Sequence, residues 1–252
     1  MRRSAMRVLF TTTSGRGHFQ PMLPLARALV AAGHEVRWAG AASVCARLRD
    51  EGYAAVQAGI ETIEPSPWSN PPPEIAALPV PERPDHLFSI IFGPLRVAPM
   101  LDDLLPLVDD WRPDLLVSEQ AELGGPIAAA RAGVPNVTHA FGRLLPEVRV
   151  ARAREAMAEL WQAHGLEPRP YAGTYDHLYL DIYPPSLQAE DAAHVGAIQL
   201  LRPARPIAHL DDAEPLVYIT FGTVFNDDPE VFAIAVEAAR ELDVRVVVTL
   251  GP

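Results

Sequence analysis

Lysine is absent from the 252 residues, and all 21 basic side chains are arginine. That excludes a phosphate-loop lysine, a Schiff-base lysine and a lysine general base. The single cysteine, Cys45, excludes an intrachain disulfide and fits a reducing compartment. No apolar run approaches the roughly 20 residues that a membrane helix needs. The opening MRRSAMRVLF turns polar too soon afterwards for a signal-peptide core. A cytoplasmic protein with no membrane partner is the expectation. The net charge of −11 argues against nucleic acid or an anionic membrane surface as a partner. Metal-ligand spacings are missing too. The eight histidines form no H-x-x-x-H, and the aspartate pairs at 102–103, 109–110, 211–212 and 227–228 are adjacent rather than spaced D-x-D. There is no G-x-S-x-G nucleophile elbow.

What is present is apolar residue in quantity, 49% of the chain, enough for a large core and one to two domains. Short β-branched runs alternate with helical patterns. VLFTTT (8–13) reads as a buried strand and 19–33 as an amphipathic helix closed by Gly33. Strands at 35–39 and 53–58 flank a helix at 43–51. This β-α-β-α-β alternation predicts an α/β, Rossmann-like doubly wound parallel sheet. A proline-rich stretch over 61–85 predicts a long irregular loop. Residues 86–111 read as helix broken at Pro94, Pro99 and Pro106. Further along, DLLVS (114–118) and 134–139 read as strands around a small-residue helix at 126–132. A helix at 147–164 and a strand near 177–183 follow. The proline-containing stretch 206–215 predicts a linker between a domain at 1–205 and a unit at 216–252, whose single β-α-β opens a second Rossmann-like domain. So small a unit cannot bury its own core, and the chain is expected to be C-terminally incomplete.

His18 lies where the first strand hands over to a helix, the edge of a parallel sheet at which ligands bind. The positive end of a helix dipole disfavours imidazolium, so a ring there is suited to accepting a proton. A capping or solvated histidine is the alternative. The loop Gly15-Arg16-Gly17-His18-Phe19-Gln20 follows G-x-G-x-x-G until Gln20 replaces the last glycine. The second strand also ends without the acid that would hold a ribose, so a nicotinamide or flavin site is not expected. Glu119 ends the DLLVS strand at the same sheet edge as His18. A carboxylate there can fix a histidine's tautomer and stabilise its imidazolium.

GHFQPMLPLARALVAAGHEV (17–36), PDLLVSEQAELGGPIAAARAGVP (113–135), DIYPPSLQ (181–188) and LVYITFGT (216–223) occur in this order. Together they resemble the GT-B glycosyltransferases of the UDP-glucosyltransferase type, especially actinobacterial enzymes of natural-product and antibiotic biosynthesis. The resemblance covers nearly the whole chain. It implies two Rossmann-like domains, the first binding the acceptor and the second the sugar nucleotide. By it His18 matches the general base, and Glu119 stands where many members have the Asp that orients that base. Gly17, Gly222 and Thr223 fall to the donor, and Phe92 and Phe141 to the walls of the acceptor pocket. The resemblance implies no metal and no cofactor. A UDP- or dTDP-linked sugar is the co-substrate, a natural-product hydroxyl the acceptor, and direct displacement inverts the anomeric carbon. The family's histidine- and glycine-rich donor motif has no counterpart here. Turnover is therefore expected to need a donor-binding half, from the rest of a longer protein or from a second chain. The alternative is a non-catalytic acceptor-binding module or pseudoenzyme.

Overall fold

The computed structural model describes residues 5–188, 191–202, 215–222 and 228–250. The chain divides into two units, 1–203 and 204–252. The predicted linker at 206–215 falls, apart from Pro215, outside the described residues.

The first unit opens with β1 (Arg7–Thr11), a one-turn helix α1 (Arg16–Phe19), a 3-10 turn at Gln20–Met22 and α2 (Leu23–Ala31). It continues through β2 (Glu35–Gly40), α3 (Ala42–Asp50), β3 (Ala54–Gln57), a short α4 (Pro73–Ala76), α5 (Arg83–Ile91) and α6 (Pro94–Trp111). Then come β4 (Leu115–Glu119), α7 (Gly124–Ala132), β5 (Asn136–His139), α8 (Glu147–Ala163), β6 (Leu178–Asp181) and β7 (Ile198–Leu200). The seven strands form one parallel sheet in the order β3-β2-β1-β4-β5-β6-β7. The order reverses between β1 and β4, and in such sheets the crevice at the carboxyl ends of those two strands is where ligands bind.

Alternation along the strands sends successive side chains to opposite faces, and both faces are covered. Val8, Phe10, Val36, Trp38 and Val117 pack with α2 and α3, the Phe10 and Trp38 rings stacked at 4.5 Å. Leu9, Ala39 and Leu116 face α6, α7 and α8 on the other side.

Three expectations need correction. The stretch 61–85 is not irregular throughout, since it carries α4 and a 3-10 turn at Val80–Glu82, and α5 begins at Arg83, with prolines at first-turn positions where they cost little. Residues 94–111 are one helix, because Val97, Met100, Leu101, Leu104, Val108 and Trp111 make a continuous buried stripe. Pro94 merely starts it, at a position where its missing N–H costs nothing. The carbonyls that Pro99 and Pro106 leave unbonded belong to Leu95 and Asp102, both exposed and so open to water. The strand β7 was not anticipated; its three residues are exposed at the sheet edge, so no apolar alternation marks it.

The second unit, taken by itself, holds β8 (Leu216–Thr220), α9 (Pro229–Arg240) and β9 (Arg245–Thr249), with β8 and β9 parallel. Asp228 caps α9, accepting from the N–H groups of Glu230 and Val231 at 3.1 and 3.2 Å. The unit is the first β-α-β of a Rossmann-like arrangement.

Leu104 is fully buried on the core side of α6. Leu104→Ala is expected to lower unfolding stability by about 2–5 kcal/mol in urea titrations. A loss under about 1 kcal/mol would show that the helix does not depend on this stripe.

Candidate active site

The carboxyl ends of β1 and β4 lie side by side, Thr11 opposite Ser118. Beyond β1 the chain turns through Thr12, Thr13 and Ser14 into Gly15, whose φ of 107° is in the region that glycine occupies without strain. A Cβ on Gly15 would stand 3.2 Å from Cδ2 of His18, so the residue also makes room for the ring. The next turn of chain carries His18 back over the sheet. Glu119, the last residue of β4, has a completely buried side chain.

Nδ1 of His18 lies 2.9 Å from Oε1 of Glu119. The same oxygen accepts the Thr13 hydroxyl at 2.8 Å, and Oε2 accepts the N–H of Ala121 at 2.6 Å. Burial alone would push the Glu119 carboxyl up. The charge of His18, its hydrogen bond, the Ala121 N–H and the Thr13 hydroxyl together outweigh it and hold the group below its ordinary range. An ionised carboxylate can only accept, so in the neutral ring Nδ1 carries the hydrogen and the basic lone pair is on Nε2. The His18 ring is partly exposed.

Two of the expected pocket residues are beside this pair. The Phe141 ring is 4.8 Å from that of His18 and the Phe92 ring 5.7 Å, centre to centre. A cavity of about 10 Å³, room for about one water, lies alongside and is lined in part by Thr13, Phe92, Arg96 and Glu122. Gly17 is exposed, with open space where a Cβ would go. Gly222 is in the second unit, its N–H donating to Oγ1 of Thr220 at 3.2 Å. Thr223 lies outside the described residues. Among the described residues no group of three or more His, Cys, Asp or Glu side chains is arranged to hold a metal ion. No helix among them is long and apolar enough to cross a membrane.

Sequence reasoning missed three residues here. Thr13 holds Glu119. Arg96 ties the glycine loop to the segment after β3 through Ser14 Oγ at 3.3 Å and the carbonyls of Ile60 and Glu61 at 3.3 and 3.4 Å. Glu122, wholly buried, turns back on the start of α7. Its Oε1 takes the Gly124 N–H at 2.7 Å and its Oε2 takes the Gly125 N–H at 2.9 Å. The Gly124-Gly125 pair was the available signal. A Cβ on Gly125 would lie 2.0 Å from Ser118 Oγ and 2.8 Å from Glu122 Oε2, so only glycine lets the helix come down on these groups.

Comparisons with known proteins bear on the fold and the family. Residues 88–203 match the family model described as erythromycin biosynthesis protein CIII-like, N-terminal domain. L-demethylnoviosyl transferase of Streptomyces niveus is 32% identical over 90% of this chain. The crystal structure of the Streptomyces sp. SF2575 glycosyltransferase SsfS6, complexed with thymidine diphosphate, superposes with a TM-score of 0.72 at 25% identity over 98% of this chain. The chain has the fold of the GT-B glycosyltransferases and is similar in sequence to natural-product glycosyltransferases. SnogD of Streptomyces nogalater, another glycosyltransferase, superposes with a TM-score of 0.67 at 28% identity, over 98% of this chain and 66% of its own. The chain spans 59% of the length of the S. niveus transferase and 69% of that of SsfS6.

Glu122 gives the protein a testable pH response. Burial pushes its carboxyl up to about 7, against the opposing pull of the Thr11 hydroxyl and the two glycine N–H groups, and the Glu119 charge adds to the rise. The hydrogen-bond count agrees. Thr11 Oγ1 is 2.5 Å from Glu122 Oε2 and 3.0 Å from Ser118 Oγ, and Ser118 donates to Asn136 Oδ1 at 2.7 Å. A protonated Glu122 that donates to Thr11 Oγ1 frees the Thr11 hydrogen for Ser118, so that each of the three contacts holds one hydrogen. The folded state then holds this proton over a range in which the unfolded chain has lost it. Its stabilising contribution is fully present below about pH 4.5, falls as pH rises, and is gone above about 7. Relative to Glu122→Gln, the protein is expected to lose about 3 kcal/mol of unfolding stability across that window, read from urea titrations at successive pH values. Parallel curves for the two proteins would refute the assignment.

Proposed function

We propose that the chain supplies the acceptor-binding part and the general base of a glycosyltransferase that moves a sugar from a nucleotide sugar to a hydroxyl of a natural-product acceptor. The observation that carries this is the His18–Glu119 hydrogen bond, 2.9 Å long and set where the strand order reverses. The acceptor O–H gives its proton to Nε2 of His18 while the oxygen attacks the anomeric carbon. The bond from that carbon to the diphosphate breaks, and the nucleoside diphosphate leaves with the electron pair. One direct displacement inverts the carbon. Glu119 steadies the imidazolium through Nδ1–H. Phe92 and Phe141 flank the ring and suit an apolar, flat-faced acceptor.

The proposal includes no metal and no further cofactor. Relatives support a thymidine-linked donor over a UDP-linked one: one is named TDP-daunosamine transferase DnrS, of Streptomyces peucetius, and SsfS6 was crystallised with thymidine diphosphate. Gly17, Gly222 and Thr223 are the proposed donor contacts, by backbone N–H and hydroxyl. The rest of the donor site is proposed to come from the part of the fold that relatives carry beyond the matched length, in the same polypeptide or in a second chain.

The test is transfer from dTDP- and UDP-sugars to a panel of aglycones, with and without a donor-binding half taken from a relative. Turnover is expected only with that half. His18→Ala is expected to cut the rate by about 10²- to 10⁴-fold while calorimetry still detects aglycone binding. A His18→Ala protein turning over at the parent rate would sink the mechanism. Aglycone binding with no transfer under any pairing would favour a non-catalytic acceptor-binding module.

A further inference from the structure

We propose that Thr13 is a positioning residue of this site, its hydroxyl keeping Glu119 ionised and turned toward Nδ1 of His18; the functional part of this rests on His18 being the base. Oε1 of Glu119 is shared between the Thr13 hydroxyl, at 2.8 Å, and His18 Nδ1, at 2.9 Å. Oε2 is held by the Ala121 N–H at 2.6 Å. The Thr13 N–H adds a longer contact to Oε1 at 3.5 Å, which side-chain substitution leaves in place, and together these donors fix the plane of the carboxylate. They also stand in for the water that a fully buried charge has lost. Thr13 is itself buried, and its branched Cβ restricts the hydroxyl to few orientations, so little freedom is lost in aiming it.

Other charged or titratable groups act on Glu119 from every side. His18 comes from α1, Arg96 from α6, His139 from the end of β5 and Glu122 from the same turn. Among the described residues only His18 of these is hydrogen-bonded to it, which leaves the Thr13 hydroxyl as the one other side-chain donor on the carboxylate. Its loss has a specific chemical result. A Glu119 that keeps its proton becomes a donor, Nδ1 becomes the acceptor, and the ring's hydrogen moves to Nε2. A ring with hydrogen on Nε2 cannot take a proton from the acceptor there. Thr13 thus acts on the base only through the carboxylate.

The experiment records the Glu119 carboxyl carbon and the His18 ring nitrogens by NMR, in isotope-labelled full chain, from about pH 4 to about pH 8. Wild type is expected to show an ionised Glu119 and the Nδ1–H tautomer at neutral pH. Thr13→Val should raise the pH at which Glu119 takes up its proton by about one unit or more, a tenfold gain in proton affinity. Over the pH range in which the variant's Glu119 holds a proton that wild type has lost, the His18 population should move toward Nε2–H. Thr13→Ser, which restores a hydroxyl, should return both readings toward wild type. Circular dichroism checks folding, and Thr13→Ala takes the place of Val should Val not fold. Unchanged Glu119 titration and tautomer in the hydroxyl-free variant, or a Ser variant that behaves like it, overturns the proposal. The spectra need neither donor nor acceptor, so the two readings fail separately. Turnover surviving His18→Ala removes the base and leaves Thr13's hold on Glu119 standing; unchanged spectra remove Thr13 and leave the base.

Discussion

The register of β1 against β4, with Thr11 opposite Ser118, is the constraint on which the site depends. Parallel pairing is one ladder of backbone hydrogen bonds, and a slip of one residue would turn every side chain to the other face. The apolar residues forbid such a slip, because Val8 and Phe10 fill one core and Leu9 the other. Packing far from the site therefore determines that Thr13 and His18, leaving β1, meet Glu119 at the end of β4. The hydrogen bond at 2.9 Å is the local outcome of a sheet-wide fit.

Two buried carboxylates three residues apart are given opposite characters by their surroundings. Glu119 has a histidine, a hydroxyl and a peptide N–H, which keep it charged despite burial. Glu122 has a hydroxyl and two peptide N–H groups but no cation among its causes, and burial prevails. Environment rather than residue type separates a group that steadies a positive ring from one that anchors a helix. The glycines at 124 and 125 belong to the same arrangement. Without Cβ atoms, the start of α7 can approach Ser118 and Glu122 closely enough to deliver its free N–H groups.

Most of the fold was legible because strand and helix declare themselves by period. The β1 and β4 runs are short and largely apolar, β2 opens by alternating polar with apolar residues, and α2, α3 and α8 carry stripes. Misreadings fell where period and local rule disagree. In α6 a buried stripe outweighs two interior prolines whose cost falls on exposed carbonyls. In β7 three exposed residues have no stripe to display, and only pairing with β6 makes them a strand.

From the sequence alone came the alternation of elements, the His18 loop at a strand-to-helix junction, the acid at the end of DLLVS and the order of motifs that marks the family. These follow from local patterns, which are written along the chain. The tertiary structure alone decided that Glu119 reaches Nδ1, that Thr13 shares its oxygen, and that Phe92 and Phe141 flank the ring. It also decided that Glu122 faces inward. Each of these depends on distances between residues far apart in sequence, and on which groups have lost their water. Neither quantity exists until the sheet has assembled.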